Sequence, residues 1–235
     1  MIQAQRISIL NGEQLAAFNT HYRITGLHQQ TGVLELASLR GFIRSPFSPL
    51  IYTSATEVST QAGLTEPTIS DTQKGIILGS MFIDAMTEEE QWKDLLAGKK
   101  ISPIMFPQIV PSSIVGFVNK QLSIQGPMTC ISPSPETDGA GIMLRQAADW
   151  IEDGLADIVL VVLCDVPSRR AKQWALDTTT GVHVSGELAG GVVSWVMESE
   201  EHAARRGAAS VCTVQELYDQ LQPPGGVGMA RQFWT

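Results

Sequence analysis

A chain of 235 residues, 43% hydrophobic and 17% charged, is long enough to build one large or two small domains around a real core. The formal net charge is −8 and the lysines and arginines are scattered, which argues against a nucleic-acid binder and against an acidic membrane surface as partner. The longest apolar run, "ADIVLVVLC" (156–164), falls far below the roughly 20 residues that span a bilayer. The opening "MIQAQRISIL" lacks the charged start, long apolar stretch and small-residue cleavage site of a signal peptide, so a cytoplasmic protein is expected.

Along the chain, short β-branched runs alternate with helix-like stretches, the pattern of an α/β protein with a mixed, mostly parallel sheet. The runs that predict strands are "RISILN" (6–11), "LIYTSA" (50–55), "GIILGS" (75–80), "MTCIS" (128–132), "DIVLVVLC" (157–164) and "GGVVSWVMES" (190–199). A helix is predicted over Thr87–Leu96, where a hydroxyl residue and three carboxylates suit the positive end, and it stops at Gly98. A second is predicted over Gly139–Asp153, capped by Thr137 or Asp138 and ended by Gly154 in a left-handed conformation. Pro and Ser mark loops at "RSPFSPL" (44–50) and "SPSP" (132–135). Residues 1–221 read as one domain, with "QPPGGVGMARQFWT" (222–235) set apart as a tail.

The three cysteines, Cys130, Cys164 and Cys212, form no Cys-x-x-Cys pair and have no histidine at ligand spacing, so neither a disulfide framework nor a metal site is expected. The glycine-rich pieces "AGG" (189–191) and "PPGGVG" (223–228) lack the strand, lysine and helix of a phosphate loop, and no cofactor is implied. Of the histidines, His202 reads as an exposed helical residue, and His183 lies in a turn with no nucleophile partner at a telling spacing.

Three stretches, in order, resemble the N-terminal half of the β-ketoacyl synthases, enzymes of the thiolase fold that extend fatty acids and polyketides. "SSIVGFVNKQLSIQGP" (112–127) is similar to the helix, small apolar segment and Gly-Pro ahead of the family's nucleophile strand. "QAADWIEDGLADIVLVV" (146–162) is similar to the helix, glycine and Ala-Asp that open its next strand. "GELAGGVVSWVMESEEHAARRGA" (186–208) is similar to its following strand and Glu-His-Ala helix. The resemblance covers roughly Ile76 to Ala208 and implies an N-terminal half of a thiolase-like fold.

In that family the catalytic cysteine stands at a tight strand-to-helix turn, where the helix N-terminus lowers its pKa and backbone N–H groups form an oxyanion hole. Counting back from Ala156-Asp157 by the family spacing lands on Thr137, or on its neighbour Glu136, and neither is a cysteine. Cys130 lies seven residues before Thr137, inside a predicted strand, where no helix dipole and little access are expected. Catalytic members also take two histidines, or a histidine and an asparagine, from a C-terminal half, and the expectation is that this chain stops short of it and cannot assemble a condensing site alone.

The resemblance narrows to the chain length factors, or ketosynthase β subunits, of type II polyketide synthases, which replace the cysteine within a Glu-Gln-Ala-Gly-Gly stretch that "PETDGAG" (135–141) resembles. An aromatic, anthraquinone-type system is the preferred setting and an aryl-polyene system the other. The resemblance implies a non-catalytic subunit that pairs with a catalytic ketosynthase, as a heterodimer or a dimer of heterodimers, and meets acyl carrier protein mainly through that partner. Its family-type dimer strand would be Met128, Thr129, Cys130, Ile131 and Ser132, and Phe82, Met86, Met105, Phe106 and Phe117 are the candidates for a wall of the polyketide tunnel. On the predicted helix at 139–153, Arg145, Asp149 and Asp153 form a polar stripe opposite Leu144, Ala147, Ala148 and Ile151. Two other functions stay open: an independent acyltransferase or thioesterase using Cys130, Ser132 or Ser134, and a scaffold that only stabilises a ketosynthase.

Overall fold

The computed structural model describes residues 10–33, 38–100, 103, 105–133, 138–176 and 189–221. Its centre is a five-stranded sheet in the order β1 (Tyr22–Thr31), β5 (Gly191–Ser199), β4 (Ile158–Asp165), β2 (Lys74–Gly79), β3 (Met128–Ile131). β2 is parallel to both β3 and β4, whereas β5 is antiparallel to β4 and β1. Four strands therefore point one way and β5 alone runs against them.

Every residue of β2 and β4 is buried, because helices cover the sheet on both faces. On one face, α2 (Phe47–Gln61) and α5 (Pro111–Leu122) bring Leu50, Ile51, Val58, Ile114 and Val118 against Ile76, Leu78, Leu160 and Val162. On the other, α6 (Gly139–Glu152), α1 (Gly12–His21) and α9 (Val214–Leu221) bring Met143, Ala147, Phe18 and Leu217 against Ile77, Val159, Val161 and Trp195. The alternation of Ile76 and Ile77, or Leu160 and Val161, between the two layers follows from the two-residue period of a strand. Each such buried aliphatic side chain contributes about 1.5–3 kcal/mol.

The predicted strands at 75–80, 128–132, 157–164 and 190–199 become β2, β3, β4 and β5. The run at 50–55 is helical: it lies within α2, whose Pro46 and Pro49 sit at a helix start where a missing N–H costs nothing. Leu50, Ile51, Ser54, Ala55 and Val58 recur at helical spacing and are all buried, so the period was 3.6 and not 2. For the run at 6–11, residues 6–9 lie outside the described residues, and Asn11 caps α1 in a capping box with Gln14. β1 was not predicted, since "YRITGLHQQT" is polar beyond Leu27.

α3 (Ala85–Leu96) starts two residues before the predicted Thr87, capped by Asp84, which accepts the Thr87 N–H at 3.2 Å and the Thr87 hydroxyl at 2.9 Å. α6 is capped by Asp138, and Gly154 follows it at φ 67° as expected of its terminator. Its polar stripe pairs with itself, Arg145 Nε lying 2.7 Å from Asp149, while Leu144, Ala147 and Ala148 are buried. α4 (Phe106–Ile109) is a single turn, α7 (Arg169–Leu176) follows β4 and α8 (Glu200–Arg206) follows β5. The tail at 222–235 lies outside the described residues. None of the described helices is long and apolar enough to cross a membrane.

Candidate functional site

Parallel strands gather their carboxyl ends on one side of a sheet, and there the chain turns away to build concave ground. At that end of β2, β3 and β4, the segment 80–84 is organised by Asp165, the last residue of β4. Its Oδ1 accepts the Ser80 hydroxyl at 2.9 Å and the Met81 and Phe82 N–H groups at 3.0 Å each. Ser80 Oγ in turn accepts the Ile83 N–H at 2.8 Å, which holds Ile83 at φ 54°, in the left-handed region. Asp165 is fully buried, and desolvation lifts its pKa to about 6 although the Phe82, Ser80 and Met81 hydrogen bonds pull it down. Ser132, just past β3, donates to the Met81 carbonyl at 3.4 Å, so all three strand ends are tied together.

The second part of the site is the N-terminus of α6. Asp138 is fully buried, accepts the Gly141 N–H at 2.9 Å and accepts the Tyr218 hydroxyl of α9 at 2.6 Å. Gly141 is required, because a Cβ there would run into the Asp138 carboxyl. Asp138 thus caps the α6 N-terminus and commits the Gly141 N–H to its own carboxyl. Thr137, Glu136 and Ser134 lie outside the described residues.

None of the three cysteines stands at this helix end. Cys130 is on β3, and it is exposed where the sequence led us to expect little access; desolvation raises its pKa. Cys164 is buried in β4, its thiol pushed well up by desolvation and by Asp165 and Asp84. Cys212 bridges to Ile24, and burial with Glu216 raises it to about 11. All three environments disfavour a thiolate.

The histidines differ from their sequence reading. His202 is buried rather than exposed, its Nδ1 2.6 Å from Glu198, which also accepts Arg206 Nε at 2.8 Å. His28 lies 2.7 Å from Ser54 Oγ through Nδ1 and 2.7 Å from Glu57 through Nε2, and Ser54 continues to Ser194 at 2.6 Å. This Ser-His-Glu chain went unread because Ser54 and Glu57 belong to α2, part of which resembled a strand. Both hydroxyl residues are fully buried, so no substrate reaches them and the chain ties α2 to β1 and β5. His183 lies outside the described residues. Among the described residues, no group of three His, Cys, Asp or Glu side chains could hold a metal ion.

The five tunnel candidates fall in separate places. Phe82 packs on Trp174 and Met105 is buried, its sulfur accepting from Gln108 at 3.2 Å. Phe117 is sandwiched edge-on by Phe42 and Tyr52, and Met86 lines a cleft beside Phe42 and Pro49. Phe106 projects outward, 63% exposed, next to Trp92 and Ile109. The strand candidates are brought together: Met128, Thr129, Cys130 and Ile131 form β3, which pairs only with β2 and leaves its other side open among the described residues. Ser132 follows directly.

The family model for the β-ketoacyl synthase N-terminal domain matches residues 44–185. The chain belongs to the β-ketoacyl synthase family. Nodulation protein E of Rhizobium leguminosarum bv. trifolii is 30% identical over 200 residues, covering 75% of this chain and 48% of that protein. The ketosynthase-family chain therefore spans about half the length of this curated relative. Similar solved structures include a β-ketoacyl synthase from Burkholderia phymatum, with a TM-score of 0.60 at 16% identity over 81% of this chain and 62% of that one. The ishigamide ketosynthase/chain length factor scores 0.60 at 17% identity over 81% and 61%. A type II polyketide synthase acyl-carrier protein in complex with its ketosynthase (AntDE:AntF) scores 0.63 at 16% identity over 82% and 66%. At these identities the structures show a shared fold. The ketosynthase match contains segment 80–84, β3 and the α6 turn; it stops before β5, which the sheet nonetheless pairs with β4.

Proposed function

We propose that this chain is a non-catalytic subunit of chain length factor type, which pairs with a catalytic ketosynthase of a type II polyketide synthase and shapes the tunnel for its carrier-bound poly-β-ketone. The observation that carries this reading is the sequence ahead of α6: no cysteine stands there, family spacing puts Thr137 or Glu136 at the nucleophile position, and Asp138 caps the helix. Without a cysteine at that position no thiol acyl-enzyme forms there, whereas a partner-shaping role needs none. The side of β3 left unpaired among the described residues supports pairing through the family's strand, because an unpaired edge is a template for another chain. The likeness to a ketosynthase/chain length factor and to a ketosynthase bound to acyl-carrier protein agrees with this setting, and an anthraquinone-type product is the preferred case.

Phe106 is the candidate best placed to reach a partner's tunnel, since it projects from the surface while Phe82 and Met105 are enclosed by their own chain. The test is the product of a reconstituted synthase containing Phe106→Ala or Phe106→Trp. The smaller side chain is expected to lengthen the product and the larger one to shorten it. Identical product lengths from both variants would remove Phe106 from the tunnel.

A further inference from the structure

A cleft of about 490 Å³ opens between the 38–46 segment, the start of α2, the first turn of α3 and Pro167 beyond β4. Its volume falls in the range of about 300–1,000 Å³ typical of small-molecule sites. The walls are mostly apolar, with Val33, Phe42, Ile43, Pro49 and Met86 prominent beside Ser38 and Ser45, and among the described residues the cation on the lining is Arg44. The Arg44 side chain is 49% exposed, its ion pair to Glu90 is long at 3.8 Å, and its charge also acts on Asp94, so a ligand carboxylate would compete with these exposed surface acids for the guanidinium.

The walls are held in place without a ligand. The Ile43 N–H donates to Gln108 Oε1 at 2.9 Å, and Gln108 is buried in α4, so the segment carrying Phe42, Ile43 and Arg44 is clamped to a helix. Phe42 also packs edge-on against Phe117 of α5. Behind the cleft, Ser45 accepts the Phe47 N–H at 3.2 Å and hydrogen-bonds the buried Asp84 carboxyl, which fixes the start of α2 relative to α3. Ile43 remains 66% exposed at the rim, an apolar group whose burial a ligand would complete.

We propose that this cleft binds an amphiphilic carboxylic acid, its apolar body against Phe42, Pro49 and Met86 and its carboxylate on the Arg44 guanidinium in place of Glu90. A guanidinium beside an apolar cleft selects for this combination: the body removes apolar area from water, and the carboxylate takes two donors in a fork. The site lies within one chain and does not depend on the partner proposed above, so either can fail without the other.

The test is calorimetric titration of the full chain with decanoate, decanol and decyltrimethylammonium. Saturable 1:1 binding of decanoate is expected, with decanol about tenfold weaker for want of the charge-assisted bonds and the cation weaker still. Arg44→Gln, a surface change with little consequence for folding, should bring decanoate down to the level of decanol. Met86→Trp, or Ser38→Trp on the exposed rim should the former fold poorly, should abolish binding of both. No saturable decanoate binding, equal affinity for decanoate and decanol, or decanoate binding that survives Arg44→Gln would each overturn the proposal.

Discussion

Asp165 is fully buried, and burial lifts its pKa to about 6 against the hydrogen bonds from Phe82, Ser80 and Met81. In the unfolded chain the same carboxyl titrates near its ordinary value of 3.8. Between these two values the folded protein holds a proton that the unfolded chain has released, so stability falls as pH rises through that window. The fall amounts to roughly 2–3 kcal/mol by linkage, and Asp84, raised by desolvation, acts in the same direction. Asp165→Asn keeps an acceptor for Ser80 and the two amides but cannot ionise. Chemical denaturation from pH 4 to 7 should therefore show a flatter profile for the variant, and an unchanged slope would contradict the burial argument. Asp165 is the first charge after the seven-residue apolar run at 158–164, which marks its position in the sequence but not its role. Its partners are about 85 residues away in sequence, and no spacing rule joins them.

Among the elements, the ones read correctly were those whose pattern is set by a single environment. β4 is apolar up to its last residue, Asp165, because helices cover both of its faces, and α6 ends where Gly154 supplies a positive φ that other residues adopt at a cost. The misread stretch at 50–55 and the unread β1 have different causes. A short β-branched run fits either a buried helix face or a strand, and an edge strand exposed on one side carries polar residues that hide its period. α8 illustrates what only tertiary contact supplies: Glu198 is fully buried at the end of β5 and accepts from Arg206 and His202 of the next helix. Desolvation raises the Glu198 carboxyl, but Arg206, Thr25 and His202 more than offset it and hold the carboxyl below its ordinary range. Arg206→Met would leave that carboxylate short of its main partner, and urea denaturation should register a loss of about 3–5 kcal/mol; a loss within 1 kcal/mol would mean the clamp is solvent-screened. At the opposite edge, Cys130→Lys places a charge on the exposed strand β3. Pairing with a ketosynthase should be lost while the free chain stays within about 0.5 kcal/mol of its original stability. Intact pairing would move the interface away from β3.

For the molecule as a whole, the sheet order matters more than any one residue. Placing β2 between β4 and β3 sets Ser80, Ser132 and Asp165 at one end of the sheet, with the α6 turn following β3. Two of the three sequence motifs lie on α5, α6 and the parallel strand β4, within the family match, and the third lies on the antiparallel β5 and α8 beyond it. The five tunnel candidates, chosen by residue type and position, are not gathered, since a Met or an aromatic residue fills a core as readily as it lines a passage. The net charge of −8 bears on association: an acidic carrier protein would be repelled by most of this surface, consistent with docking through the partner. The central claim is that the chain works as the non-catalytic half of a ketosynthase pair. Its most direct test is co-expression with a catalytic ketosynthase from the same host, followed by native mass measurement of the purified material. A stable heterodimer or dimer of heterodimers is the predicted result, and a well-behaved monomer that leaves the ketosynthase as a homodimer would contradict it.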